Sequence, residues 1–158
     1  GQVLHTLPAQ QLLETLYPLW NEQGWLLPDD SGWGQDLCEL LGPSMTLLKD
    51  GVDQAKPFFE CPGLEEDGLR QLEADGARAA VAQLLQTLEA DPWDGSDLDR
   101  AKQLLGDAAT GAGVKKGVVM KSLRAALLGR LQGPDLMTTW SLLARIGEDL
   151  PRLKRCLA

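Results

Sequence analysis

Cysteine is scarce in this chain of 158 residues, and the three present, Cys38, Cys61 and Cys156, have no short spacing between any two. Zinc sites and disulfide scaffolds need paired spacings, and the single histidine, His5, stands near the start. A structural metal and a Cys–His nucleophile therefore find no support, and the cysteines read as small buried hydrophobes of a reducing compartment. Aromatics make up only 5% of the chain. β-Branched residues are also few, and no segment alternates apolar and polar residues for long, which argues against a sheet. No uninterrupted apolar run could cross a bilayer, and no basic region followed by an apolar one opens the chain. The expectation is a soluble, cytoplasmic protein with no membrane partner.

What is present is ordinary globular material, 44% hydrophobic and 24% charged, enough for one domain or two small ones. The net charge of -8 argues against a polyanionic partner until it is resolved along the chain. Residues 1–97 carry 4 basic against 18 acidic side chains, a net of -14, whereas residues 98–158 carry 11 against 5, a net of +6. Contact with a polyanion would centre on the last third. The alternative is an acidic, soluble domain beside an ordinary basic helix.

Helical periodicity recurs throughout, and the fold class expected is all-α. Residues 8–23 place Leu12, Leu13, Leu16, Leu19 and Trp20 on one face, and 21–24 supply a stop. A turn-rich connector over 24–34 leads to a short helix over 35–41, interrupted by Gly42-Pro43, and to another over 45–59 that Pro57 bends or ends. Cys61-Pro62-Gly63 marks the expected boundary, giving domains 1–62 and 63–158. Helices are predicted over 64–74 and 77–89. Ser96 with Asp99 reads as a capping box opening a helix to about residue 107. Three more are predicted over 116–130, 135–146 and 148–157.

The informative stretch is 113–129, Gly-Val-Lys-Lys-Gly-Val-Val-Met-Lys-Ser-Leu-Arg-Ala-Ala-Leu-Leu-Gly. Lys115, Lys116, Lys121, Arg124 and Arg130 follow one another with no acid between them, while Leu123, Leu127, Leu128 and Leu131 can share a buried face. A loop and helix start with free N–H groups and lysines suit phosphate oxygens. The Arg124 guanidinium can both stack on an unpaired base and donate to its edge. A merely solvated basic face would show the same residues.

The segment resembles the signature of the anticodon-binding domain of glutamyl-tRNA synthetases of bacterial, cyanobacterial-like type. There a G-x-K-x-G loop precedes a helix with a Leu-Arg-x-Ala-Leu-x-Gly core, and a Gly-Pro-x-Leu turn follows, here Gly133-Pro134-Asp135-Leu136. The basic end, 150–158, is similar to the arginine-rich C-terminus of those class I enzymes. Trp93 with the helix after it, and the segment from Met45 through Phe59, are similar too, and the similarity becomes diffuse before about residue 35. Ser122 and Leu128 depart from the pattern, standing where many members have Pro and Thr.

The resemblance implies two consecutive helical subdomains of the helix-cage, anticodon-binding type. It implies a monomer whose partner is glutamate tRNA. The full enzyme would be a glutamate–tRNA ligase using ATP and magnesium. The HIGH-like and KMSKS-like motifs of its catalytic domain do not occur here, so this stretch alone should be inactive and carry no cofactor. Arg124 matches the arginine that contacts the middle and third anticodon bases. Gly133, Pro134 and Leu136 match the wall beside the middle base, although helix entry and core packing would place Pro134 and Leu136 equally well. Ser44 stands where discriminating members place an arginine against the first anticodon base, which implies an enzyme that also accepts glutamine tRNA; the plainer reading is a helix cap after Pro43. Among the aromatics, Trp20 and Trp140 fall at core positions, Trp93 in a packed turn, and Trp25 and Trp33 are open. A helical protein-interaction module docking a basic partner on its acidic part is the competing class of explanation.

Overall fold

A computed structural model describes residues 4–158, and among these every regular element is helical. The chain divides into two compact units, Gly1–Glu60 and Cys61–Ala158.

In the first unit, α1 (Ala9–Glu22) turns Leu12, Leu16 and Trp20 inward at fourfold spacing. They meet α2 (Trp33–Leu41), which buries Trp33, Leu37, Cys38 and Leu41. A 3-10 turn over Gly42–Ser44 follows. The single helix expected over 45–59 is instead two: α3 (Leu48–Asp53) and α4 (Lys56–Phe59). Pro57 explains the break, since its ring would strike the carbonyl four residues back, at Asp53, where α3 ends. Pro57 instead sits in the first turn of α4, where its missing N–H costs nothing. Close packing is permitted by Gly51. A Cβ there would lie 2.3 Å from Leu16 Cδ2, and the Gly51 carbonyl accepts from Trp20 Nε1 at 2.9 Å. Trp25 and Trp33 both join this core. Trp25 stacks on Phe59 at 5.0 Å, and its indole N–H donates to Glu60 at 2.7 Å.

The second unit is built around α8 (Lys116–Leu128), which touches α5 (Glu66–Leu72), α6 (Ala77–Ala90), α7 (Leu98–Ala112), α9 (Leu136–Arg145) and α10 (Asp149–Arg155). Val119, Leu123, Ala126 and Leu127 form the buried stripe that allows this. Its tightest contact is with α5. A Cβ on Gly68 would lie 2.3 Å from the Gly129 carbonyl, which already accepts from the Glu65 N–H at 2.7 Å. Helix α10 is fixed by arginines. Arg152, only 1% exposed, donates to Leu127 O at 2.9 Å and pairs with Glu148, and Arg155 donates to Ala126 O at 2.9 Å and to Pro62 O.

Three expectations change here. The cap of α7 is Asp97, whose carboxylate accepts from the Asp99 and Arg100 N–H groups at 3.0 and 3.2 Å. Ser96 is already committed to Asp94, so it cannot serve as the capping residue. The helix also runs on to Ala112, ending at Gly113 in the left-handed region, φ 68°. Of the cysteines, Cys38 and Cys156 are buried as expected, while Cys61 is exposed. Burial pushes the Cys38 thiol up to about 12, so it remains protonated and inert. Among the described residues no helix is long and apolar enough to cross a membrane, and no acid, cysteine and histidine cluster could hold a metal.

Candidate nucleic-acid interface

Helix α8 begins at Lys115 without a side-chain cap, so no side chain competes for its first N–H groups. Lys115, Lys116 and Lys121 are exposed. Gly117, Lys121 and Arg124 recur at four and three residues and so form one stripe. From Lys116 to Arg124 the helix rises about 12 Å. A backbone phosphate at the helix start and a base at Arg124 could therefore be held together.

Arg124 is half-buried rather than fully solvated, and its Nη1 donates to Pro134 O at 2.8 Å. Burial lowers its pKa and the neighbouring Asp135 partly opposes this, leaving a guanidinium that stays charged. The turn after α8 is shaped around it. A Cβ on Gly133 would lie 3.3 Å from Arg124 Nη1 and 2.8 Å from Leu128 Cδ1. Asp135 caps α9 by accepting from the Thr138 N–H at 3.0 Å and hydroxyl at 2.9 Å. The carboxylate is thus held near Arg124 by the helix it opens. Leu136, 6% exposed, belongs to the core, whereas Gly133 is exposed and Pro134 half-buried.

Ser44 lies in the first unit and is exposed at the end of the 3-10 turn. It caps no α-helix. Its hydroxyl reaches Leu41 O at 2.9 Å and Gln54 Oε1 at 2.7 Å. The cap of α3 is supplied by Asp50, whose carboxylate accepts from the N–H groups of Leu47 and Thr46, both at 2.9 Å. Those bonds hold the Asp50 pKa below its ordinary value. Elsewhere in the second unit, an open cleft of about 400 Å³ is lined by Glu65, Glu66, Asp67, Arg70, Arg130 and Gln132. Its three carboxylates make it a poor seat for a phosphate.

Comparison with known proteins decides the family: the model of the anticodon binding domain matches residues 11–157. The chain belongs to that family. This anticodon-binding domain is 83% identical over its full length to a glutamate–tRNA ligase of Parasynechococcus marenigrum (strain WH8102), of which it covers 33%. It is 72% identical over 99% of its length to a glutamate–tRNA ligase of Synechococcus sp. (strain CC9605), again covering 33%. The domain thus spans about a third of the curated relatives it matches. Among solved structures, a glutamate tRNA ligase from Elizabethkingia meningosepticum CCUG26117, in complex with its amino acid, superposes with a TM-score of 0.81. The identity is 20%, covering 98% of this chain and 30% of that one. A glutamate-tRNA synthetase from Elizabethkingia anophelis gives 0.74 at 23% identity, covering 98% and 29%. The all-helical architecture is shared with both.

Within the anticodon-binding domain, Arg124, Gly133 and Pro134 are brought together. Lys121 shares the stripe of Arg124, and Lys115 and Lys116 stand at the far end of α8. Leu136 lies beneath the turn. Asp135 and Gln54 are not among the site residues expected from the sequence. Asp135 showed a signal, an acid one residue before a helix in a Gly-Pro-x-Leu turn. Gln54 showed none, because it meets Ser44, ten residues earlier, only through the way the chain turns into α3. None of the five tryptophans is available for base stacking, all being buried.

Proposed function

We propose that this chain reads the anticodon loop of glutamate tRNA for a cytoplasmic glutamate–tRNA ligase, acting as a monomer. Its two units, Gly1–Glu60 and Cys61–Ala158, two residues from the boundary expected at 62/63, would serve as consecutive anticodon-binding subdomains. Activation of glutamate with ATP and magnesium, and transfer to tRNA, would belong to the two-thirds of the relatives that lie outside the matched region. The observation that carries the reading is Arg124. A permanently charged guanidinium, held by the Pro134 carbonyl and beside Gly133, where a Cβ would lie 3.3 Å from it, suits a splayed base better than a merely solvated surface would. Lys115, Lys116 and Lys121 would take backbone phosphates. Gly133 and Pro134 would form the wall beside the middle base, with Leu136 supporting it from the core.

The codon table corrects one part of the expectation for Ser44. Glutamate and glutamine codons differ only in their first letter, which pairs with the third anticodon base. The discriminating contact must therefore face the third base, cytosine in glutamate tRNA and guanine in glutamine tRNA, not the first. With a short neutral Ser44 in place of an arginine, the ligase would charge both tRNAs. Comparing charging of the two by the full-length enzyme tests this, and strict rejection of glutamine tRNA would sink it.

RNA reading itself is tested by titrating labelled glutamate anticodon stem-loop into the chain. Binding should be weak and salt-sensitive. Arg124→Ala should lower the affinity by about 1–3 kcal/mol. An unchanged affinity would remove Arg124 from the interface.

A further inference from the structure

We propose that Cys61 is an oxidation site: a peroxide converts its thiol to a sulfenate, and the side chains of Arg152 and Arg155 receive the new oxygen. The inference stands apart from RNA reading. Cys61 alone of the three cysteines is exposed. Exposure by itself would make it an ordinary surface thiol, and the arginines are what distinguish it. The Cys61 thiol donates to Pro62 O at 3.8 Å, and Arg155 Nη1 donates to the same oxygen. Sulfur and guanidinium therefore flank one atom. The surroundings are held in place, since Arg155 Nη2 also donates to Ala126 O at 2.9 Å and the Glu65 N–H to Gly129 O at 2.7 Å. Arg152 stands one turn earlier on α10. Burial lowers its pKa, and Cys61 is the first group to oppose this, ahead of Glu148, which sets the sulfur close to that guanidinium too.

Both arginines carry an unused donor. Arg152 is 1% exposed, and its Nη1 and Nη2 donate to Leu127 O at 2.9 Å and to Glu148 at 3.3 Å. Its Nε, and the Nε of Arg155, are buried with no partner. Such N–H groups are rare and costly. The Cys61 sulfur is not their acceptor. An oxygen bound to that sulfur reaches further, accepts more strongly and brings negative charge. Among the described residues only Glu148 forms an ion pair with either arginine, so positive charge is in excess. In the reaction the Cys61 thiolate attacks one peroxide oxygen. The S–O bond forms as the O–O bond breaks, sulfur losing two electrons and the peroxide gaining them. The other oxygen leaves as hydroxide and takes up the thiol proton as water, while guanidinium N–H groups stabilise the charge building on oxygen. Cys156 cannot take this part, being 3% exposed with its pKa raised by burial. A thiol reductant reverses the step.

The alternative is that Cys61 is a surface thiol and nothing more. Oxidation of the whole chain by hydrogen peroxide, trapped with dimedone and mapped by peptide mass spectrometry, separates the two. Cys61 should be oxidised about tenfold faster in the folded chain than in the urea-unfolded chain, where the arginines are dispersed. An equal or slower rate when folded overturns the proposal, as does a Cys61–Cys156 disulfide in place of the trapped adduct. Arg155→Met should abolish the advantage of folding, and a folded variant that keeps it would remove Arg155 from the site. The ratio for the unaltered chain decides even if that variant does not fold. Before trapping, the oxidised chain should melt at a higher temperature than the reduced one, a gain absent from Cys61→Ser. No gain would mean that the two Nε groups do not receive the oxygen.

Discussion

At the scale of single residues the second unit buries a polar pair, Trp140 and Asp149. Trp140 is fully buried, packs on Trp93 at 4.6 Å and donates its indole N–H to Asp149 at 3.1 Å. Burial raises the Asp149 pKa above the ordinary carboxylate value, against the opposing pull of the Trp140 and Leu150 hydrogen bonds. A carboxyl whose folded pKa is raised binds its proton more tightly folded than unfolded. Its charge therefore lowers stability at neutral pH, and the penalty is relieved as pH falls through the raised value. Trp140→Phe removes the indole donor and should raise that pKa further. Denaturant titration should show a larger loss at neutral pH than in mild acid, and an equal loss at both would mean that the hydrogen bond carries none of the effect.

Individual helices show what the sequence made legible. Apolar periodicity located α1, α6, α8 and α9 within a few residues, because each buries a stripe whose spacing is local information. Pro57 marked an interruption of the 45–59 stripe, but not that α3 would stop at Asp53 and a separate α4 begin at Lys56 with Pro57 in its first turn. The capping-box spacing failed at Ser96, whose hydroxyl is taken by Asp94 in a turn that composition does not display. The α8 stretch was legible as basic, and Arg124 as its notable member. Its half-burial was not, because the Pro134 carbonyl that holds it depends on how the chain turns after Gly129. Glycines within helices carry separate information. A Cβ on Gly68 would meet backbone at Gly129, so Gly68→Ala should destabilise the second unit by about 1–3 kcal/mol in chemical denaturation. A Cβ on Gly117 meets nothing within 4 Å. Gly117→Ala should therefore stabilise α8 by about 0.5–1 kcal/mol. If an RNA backbone passes over the start of α8, the same substitution should weaken stem-loop binding despite the gain. Equal or tighter binding would place the RNA elsewhere on the helix.

For the whole molecule the distribution of charge decides how RNA can approach. The first unit, 1–60, carries 2 basic and 9 acidic residues, and the second, 61–158, carries 13 and 14, so neither is cationic overall. Within α8, however, Lys116, Lys121 and Arg124 have no acid among them. Added salt should weaken the specific stem-loop complex, with a shallow slope that reflects few phosphate contacts. An unrelated RNA hairpin should stay weakly bound even at low salt, and tight low-salt binding to it would show that the acidic surface does not exclude RNA.

The acid-free basic stripe of α8, in a molecule of net charge -8, would also set the timing of encounters. An RNA arriving at the acid-rich first unit would be turned away before contact, so misaligned collisions there would be brief. Productive arrivals are confined to one narrow approach. The acidic bulk, which adds nothing to the strength of the final complex, would shorten the time spent finding it.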